Sequence, residues 1–531
     1  MRGGFLAQIS LVAVFAVSSV GQGSGQEGRG RGRGEEAAAR GALSKVQADA
    51  ELLWPLPAAA KAYVAIDGQH MKGYVEELAA IARKSRTAGY QQWGRIAGMP
   101  SGLETQQWVT TKFRQAGLDV RVEEYEMRPQ SLPQSWEVSV AGGGKNLKLT
   151  SASPIISFAQ SMPSPEGNMD LETVWVGLGM ASDFVGKDVR GKAVFIYSIP
   201  TPSSLIQSEG WMGGLARAQK GGAKAVMVVL AIPGNMSFVS HVQGLSNDSK
   251  LPVFTVGLND GESVELLNAV ASGRGLMTHV SWNVKTFTGL KAANVIATLP
   301  GQTDENIVMI AHTDGYFEGA NDDAAGTSSL VGLAEYYAKV PKAQRRRTMY
   351  FIATPDHHGG DAGGRWIHDN MQPVLSKAAV VLNAEHVAVM EPVWDRPWGS
   401  QGRPELIRTN QLGASWWGVN GSDRLADIIK NGFAMFGVPT QIDEGGSAGE
   451  LRAVQFDAPS FYLHNKGVYY HASADTVDVV PATGLRTATQ AFAKIFDDIN
   501  RVDLKDLRPL AATPTSGLVN LGRRRAARGL E

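Results

Sequence analysis

The sequence predicts an α/β protein: an open, twisted, mostly parallel sheet with helices on both faces, interrupted by a β-rich insertion. Three observations carry this. From about residue 288 onward, short apolar strands alternate with helical segments, the pattern of a parallel sheet covered on both sides. Between about 134 and 287 the texture changes to short β-rich segments punctuated by Gly and Pro. The chain has 531 residues, 43% of them hydrophobic, which exceeds one ordinary domain and is ample for two cores.

The elements follow in order. Arg2 precedes an apolar run from Phe5 to Val17 and then small residues, the three parts of a secretory signal peptide over 1–22. That run is shorter than the roughly 20 residues a bilayer-spanning helix needs, so no stable anchor is expected. Residues 23–50 are Gly/Arg/Glu-rich and read as a flexible spacer. The first part of the main domain, 51–133, predicts an amphipathic helix opening at His70–Leu78. A second helix runs over Leu103–Ala116, stopped by Gly117, and a period-two strand over Asp119–Tyr125 follows. Within 134–287, strands are expected at Gly191–Tyr197, Ala225–Leu230 and Leu251–Val256, with helices at Gly214–Lys220 and Asp260–Ala271. The main domain resumes over 288–505. Its strands are expected at Ala293–Leu299, Ile307–Ala311, Thr348–Thr354 and Ala379–Asn383, and a helix at Gly326–Lys339. Residues 506–531 form a basic tail around Arg523–Arg525.

Composition narrows the chemistry. Lys plus Arg (51) equals Asp plus Glu (51), so no global field draws the chain to nucleic acid or anionic lipid. Cysteine is absent, which removes disulfides, thiolate metal sites and cysteine nucleophiles. A metal would have to be held by His, Asp and Glu. Of the 10 histidines, those at 312, 357, 358, 368, 386, 464 and 471 crowd into one stretch.

In open α/β sheets ligands gather outside the carboxyl ends of the strands. The Ile307–Ala311 strand delivers His312 and Asp314, and Asp322 follows within Gly319–Gly326, at the start of an apolar helix. The Thr348–Thr354 strand delivers Asp356, His357 and His358. The next delivers Glu385 and His386, and the run Val468–Tyr470 leads to His471. Each alone is an ordinary loop residue, and the Asn-Asp-Asp segment alone reads as a helix cap. Five such positions on one edge of one sheet read as a metal centre. No HExxH helix is present, so a helix-borne zinc site is not supported, and the segment offers too few oxygens for calcium.

The segments AHTDGYFEGANDDAAGTSSLVGLAEYY, VVLNAEH and YYHASADTVDVV resemble the co-catalytic zinc exopeptidases, the family of bacterial secreted zinc aminopeptidases and glutamate carboxypeptidase II-like enzymes. The resemblance runs from about His70 to Asn500 outside the insertion. The insertion itself resembles a protease-associated domain. The resemblance implies the zinc-exopeptidase fold and two Zn2+ per chain, the second held more weakly. It implies Asp322 as bridging ligand, His312 and Glu385 completing one ion, and His471 on the other. The family's Glu-Glu pair is replaced here by His357 and His358. Spacing to Gly360 and Gly363 matches His357 to the general base and His358 to a ligand. Asp356 is the alternative base, and Asp314 joins them among the catalytic candidates.

The implied activity is hydrolysis of terminal peptide bonds by an exported enzyme, an aminopeptidase before a carboxypeptidase, with peptide or protein substrates and no nucleic acid partner. Two alternatives stand beside it. One is a catalytically silent metal- or peptide-binding homologue, because of the His-His pair. The other is a zinc amidase on non-peptide amides. Trp416 and Trp417, in a Trp-rich stretch after Glu385, and Glu450 are the candidates for substrate contact, with core packing the other role for the tryptophans.

Overall fold

The computed structural model describes residues 56, 58–155, 165–199, 209–239, 249, 251–271, 275–395, 405–442, 448–454, 457–465 and 467–508. The expected signal peptide and spacer and nearly all of the basic tail lie outside these residues.

The main sheet has eight strands. From one edge to the other they are Thr440–Ile442, Ser415–Asn420, Ser460–His464, Ala378–Ala384, Asn306–His312, Thr348–Thr354, Lys291–Leu299 and Asp119–Glu126. The four central strands are mutually parallel, and the antiparallel pairings lie toward the two edges. All seven residues of Asn306–His312 and of Ala378–Ala384 are buried, as strands covered on both faces must be.

Side-chain alternation assigns each face. Ile307, Met309 and Ala311 join Val380 and Leu382 in one core with the helices Gly68–Thr87, Pro100–Gln115, Gly326–Ala338, Asp423–Phe436 and Ala482–Ile499. Val308, Ile310 and Val381 point the other way, against Ile367 of the helix Ala362–Asn370 and Leu451 and Val454 of a short helical turn. Helices thus cover both faces, as the alternation predicts.

A second eight-stranded sheet is drawn from the strands between Gln130 and Phe287. Its strands Glu166–Trp175, Ala193–Ser198, Ala225–Leu230 and Val253–Gly257 are parallel neighbours. The long hairpin partners Gln130–Gly142 and Met277–Phe287 connect it to the main sheet at both ends. It has its own apolar core around Phe195, Met227, Phe254 and Trp282.

Candidate metal centre

The parallel strand Asn306–His312 ends inside the protein, and the chain must then turn before the helix Gly326–Ala338. Arg95, completely buried, holds that turn. Its guanidinium donates to the carbonyls of Thr313 (2.9 Å), Glu318 (2.6 Å) and Gly319 (2.9 Å). Asp475 braces the other side, its carboxylate accepting from the backbone N–H of Asn321 (2.7 Å) and Asp322 (3.0 Å). Asp323 accepts from the N–H of Gly326 and of His386, both at 3.0 Å, tying the turn to the end of the neighbouring strand. The Asp322–Asp323 peptide within this turn is cis.

Asp322 is thereby fixed at the middle of a histidine cluster. Its Oδ1 lies 3.3 Å from His312 Nε2 and 3.0 Å from His386 Nε2. Its Oδ2 lies 3.3 Å from His471 Nε2 and 3.6 Å from His358 Nε2, and those two nitrogens are 3.0 Å apart. Oδ2 is buried and accepts no hydrogen bond. Zinc holds nitrogen and oxygen donors at about 2.0–2.2 Å, so neighbouring donors of a tetrahedron sit about 3.3 Å apart. The observed separations match that edge. Two sets of three donors, one on each oxygen of Asp322, fit two cations, each with one coordination position left open.

Asp314 supports this from behind. Its carboxylate accepts from the N–H of His357 (3.2 Å) and His358 (2.7 Å), fixing the turn His357–Gly359. The same carboxylate lies 3.3 Å from His312 Nδ1 and 3.4 Å from His358 Nδ1. A carboxylate on Nδ1 aims Nε2 at the ion, the usual outer-shell arrangement of a metal-binding histidine.

His357 lies beside the donors His312 and His358 but does not face Asp322. Its Nδ1 lies 3.2 Å from Glu450 Oε1 and 3.3 Å from Asp361 Oδ1, and its ring stacks on His312 at 4.4 Å. It keeps 18% of its side chain accessible, against 5% or less for His312, His358, His386 and His471. Asp356 is committed elsewhere: it accepts from Tyr125 Oη and from the N–H of Ala362 and Gly363, at the head of the helix Ala362–Asn370. Glu450 is 1% exposed and faces His357 and Thr354 Oγ1 rather than open space. Trp417 packs edge-on against Phe433 in the core, and Trp416 is half-buried opposite His464.

The sequence analysis expects Glu385 to complete one ion with His312; in the structure it is His386 that faces Asp322 beside His312. Glu385 accepts from Asn383 Nδ2 (2.8 Å), on the same side of its strand, and its Oε1 fills the space beside Gly449. A Cβ at Gly449 would sit 1.8 Å from that oxygen, which is why a glycine stands there. His386 takes a left-handed backbone (φ 50°) that turns its ring onto Asp322, and His471 does likewise (φ 58°). Such conformations cost about 1–3 kcal/mol each in non-glycine residues and collect at functional sites.

The charges sort the cluster. Burial opposes ionisation of Asp322, but His358 and His386 hold its carboxyl well below the usual range. Burial, together with the neighbouring His471 and His312, keeps His358 well below the ordinary histidine range, hence neutral and able to ligate. His357 is raised well above its ordinary value by Glu450 and Asp361, against burial. Glu450 is pushed up to about 7 by burial and by Glu385.

The second sheet reaches this centre. Residues 237–239 lie antiparallel to the His471 loop: the N–H of Val239 donates to the His471 carbonyl (3.0 Å), and that of Ser473 to the Ser237 carbonyl (2.8 Å). Phe238 is fully buried between them. Gln130 Nε2 donates to the Gly359 carbonyl (2.7 Å), beside His358. Both second-cation histidines therefore sit on loops touched by the second sheet's strands or the segments between them.

Residues 294–496 match peptidase family M28. That stretch is similar to an M28 peptidase domain. The five residues facing the two cation positions, Asp322, His312, His386, His358 and His471, and His357 beside them lie inside the M28 match, whereas Arg95 and the second sheet lie before it. The chain is 24% identical over 265 residues to aminopeptidase YwaD of Bacillus subtilis strain 168, covering 49% of this chain and 51% of that one. It is 24% identical over 355 residues to the probable glutamate carboxypeptidase AMP1 of Arabidopsis thaliana, covering 55% and 49%. The chain thus spans about half the length of these relatives. Among solved structures, the fold resembles a peptidase M28 precursor from Shewanella amazonensis SB2B, with a TM-score of 0.61 at 16% identity, covering 84% of this chain and 100% of that one. It also resembles BSAP, a zinc aminopeptidase from Bacillus subtilis, with a TM-score of 0.56 at 18% identity, covering 86% and 99%. These likenesses establish an M28-type fold. No helix among the described residues is long and apolar enough to cross a membrane.

Proposed function

We propose that this chain is an exported exopeptidase that binds two zinc ions, one on each oxygen of Asp322, and removes residues from the amino end of peptides. The observation that carries the reading is the division of donors: His312 and His386 face Oδ1, and His358 and His471 face Oδ2. The M28 match, and relatives named as aminopeptidases, favour a terminal peptide bond as the target. His386 takes the ligand role expected of Glu385.

When bound, zinc supplies Lewis acidity, polarising the scissile carbonyl and making water more acidic. The chain's own groups supply the rest. Asp314 keeps His312 and His358 aimed inward. Glu450 and Asp361 lie against Nδ1 of His357, at 3.2 and 3.3 Å, which favours a proton there and leaves Nε2 as the atom toward the centre that could act as base. In the metal-free cluster Glu450 and Asp361 favour a proton on His357; the charge of bound cations beside it would oppose that proton, and the neutral ring would take the proton from the attacking water and return it to the departing amine as the C–N bond breaks. The test is turnover of aminoacyl p-nitroanilides by zinc-loaded protein, for wild type and His357→Ala. The expected result is chelator-sensitive release by wild type, lost in the variant with metal content unchanged. Equal turnover by both would move the base elsewhere, and none by a two-zinc wild type would favour a silent binder.

A further inference from the structure

Beside the two cation positions stands a further set of donors that neither of them uses: His357 Nδ1, Glu450 Oε1 and Asp361 Oδ1. Nδ1 lies 3.2 Å from the Glu450 oxygen and 3.3 Å from the Asp361 oxygen, and the three residues offer ligand atoms that all lie within 4.8 Å of one another. The two short separations equal those around Asp322 and match the edge of a zinc tetrahedron. Hydrogen bonds do not account for them, because Nδ1 is buried and makes none to either carboxylate. Glu450 Oε2, on a residue only 1% exposed, accepts none either.

Local structure frees Asp361 for this place. It stands at the N-cap of the helix Ala362–Asn370, where an aspartate ordinarily accepts from the first turn. Asp356 takes those N–H groups instead, at Ala362 and Gly363, and the Asp361 side chain caps nothing. Its left-handed backbone (φ 55°) is disfavoured for a residue other than glycine or asparagine.

We propose that His357, Glu450 and Asp361 form a third cation site, filled by zinc once both positions on Asp322 are occupied. One ring nitrogen and two carboxylate oxygens are donors zinc accepts, and they leave a place for water. The two carboxylates offset the charge of a divalent ion. The side chains of His357 and Asp361 keep 18% and 34% of their surface accessible, so an ion can enter and leave without unfolding. The site is the weakest of the three for the same reason.

Filling it silences the base. A neutral imidazole carries one proton and one free lone pair. An ion on Nδ1 places the proton on Nε2, the atom that must be free to accept a proton from the attacking water. Zinc in excess of two per chain therefore inhibits. That consequence rests on the exopeptidase reading; the binding does not.

Equilibrium dialysis of the full-length protein against rising free zinc, with bound metal counted by mass spectrometry, tests the site without any substrate. Wild type should take up two ions tightly and a third at higher zinc. Asp361→Asn and Asp361→Gly both suit the left-handed backbone. They should keep the first two ions and weaken the third about 100-fold or more. Release of p-nitroaniline from aminoacyl anilides, followed over the same range, should fall as the third ion binds. In the variants that fall should move to correspondingly higher zinc, whatever their starting rate. A wild type that stops at two ions, or a third ion held equally well by both variants, overturns the site. Inhibition with one midpoint in wild type and variants overturns its effect on the base. If two-zinc wild type cleaves nothing, the exopeptidase reading fails and the dialysis alone decides the site.

Discussion

The sharpest consequence of the cluster concerns two adjacent residues, Glu385 and His386. The replacement His386→Asn removes one of three donors at the Oδ1 position, and asparagine tolerates the left-handed backbone there. Structural zinc sites bind with about 10–16 kcal/mol over four ligands, or about 3–4 kcal/mol per ligand. At 1.4 kcal/mol per decade, the loss is about two to three orders of magnitude in affinity for one of the two ions. Glu385→Gln keeps its bond to Asn383 and touches no donor, so both ions should remain. The assay is competition with a chromogenic chelator, read as two stepwise affinities. Loss of an ion in Glu385→Gln, with both retained in His386→Asn, would refute the assignment and restore Glu385 as the ligand.

Three further outcomes follow from the same geometry. Asp314→Asn, which weakens the support behind His312 and His358, should lower metal affinity about 10–100-fold; because the amide can accept only one of the two backbone N–H bonds, the metal-free protein should also lose about 1–3 kcal/mol of stability on thermal unfolding. Burial and His357 work against a proton on His312, but Asp323, Asp314 and Asp322 raise it well above its ordinary value. The metal-free cluster therefore favours a proton on His312, which ligation must displace, whereas His358 is held low. Zinc affinity then falls as pH drops, and calorimetry at pH 7 should show heats that depend on the buffer's ionisation enthalpy; no dependence would contradict this. Phe238→Ala should cost about 3–5 kcal/mol in denaturant unfolding and weaken the Oδ2 ion more than the Oδ1 ion, because residues 237–239 hold the His471 loop. Equal weakening of both ions would place the effect in general stability.

Much of this was legible in the residues. The strand Ile307–Ala311 is apolar at every position and Ala379–Asn383 at every position but the last, because both faces are covered, and such runs can be read without a structure. His312, Asp322, His358 and His471 were legible because parallel strands deliver their next residues to one edge. The choice of His386 over Glu385 was not. It depends on a non-glycine residue adopting positive φ, and on the space beside Gly449, neither of which leaves a trace in hydrophobic pattern. Arg95 was hidden for a different reason. Its partners are backbone carbonyls about 220 residues away, and carbonyls carry no sequence signal. Likewise, Asp356 lies on the strand end with the histidines, but local bonds to Ala362 and Gly363 claim its carboxylate.

The central claim is that Asp322 carries a cation on each oxygen. Anomalous diffraction at the zinc edge, on crystals of the zinc-loaded chain, tests it most directly. The account predicts two peaks, one enclosed by Asp322 Oδ1, His312 and His386 and the other by Asp322 Oδ2, His358 and His471. A single peak, or a peak ligated by Glu385 with His386 turned away, would contradict it.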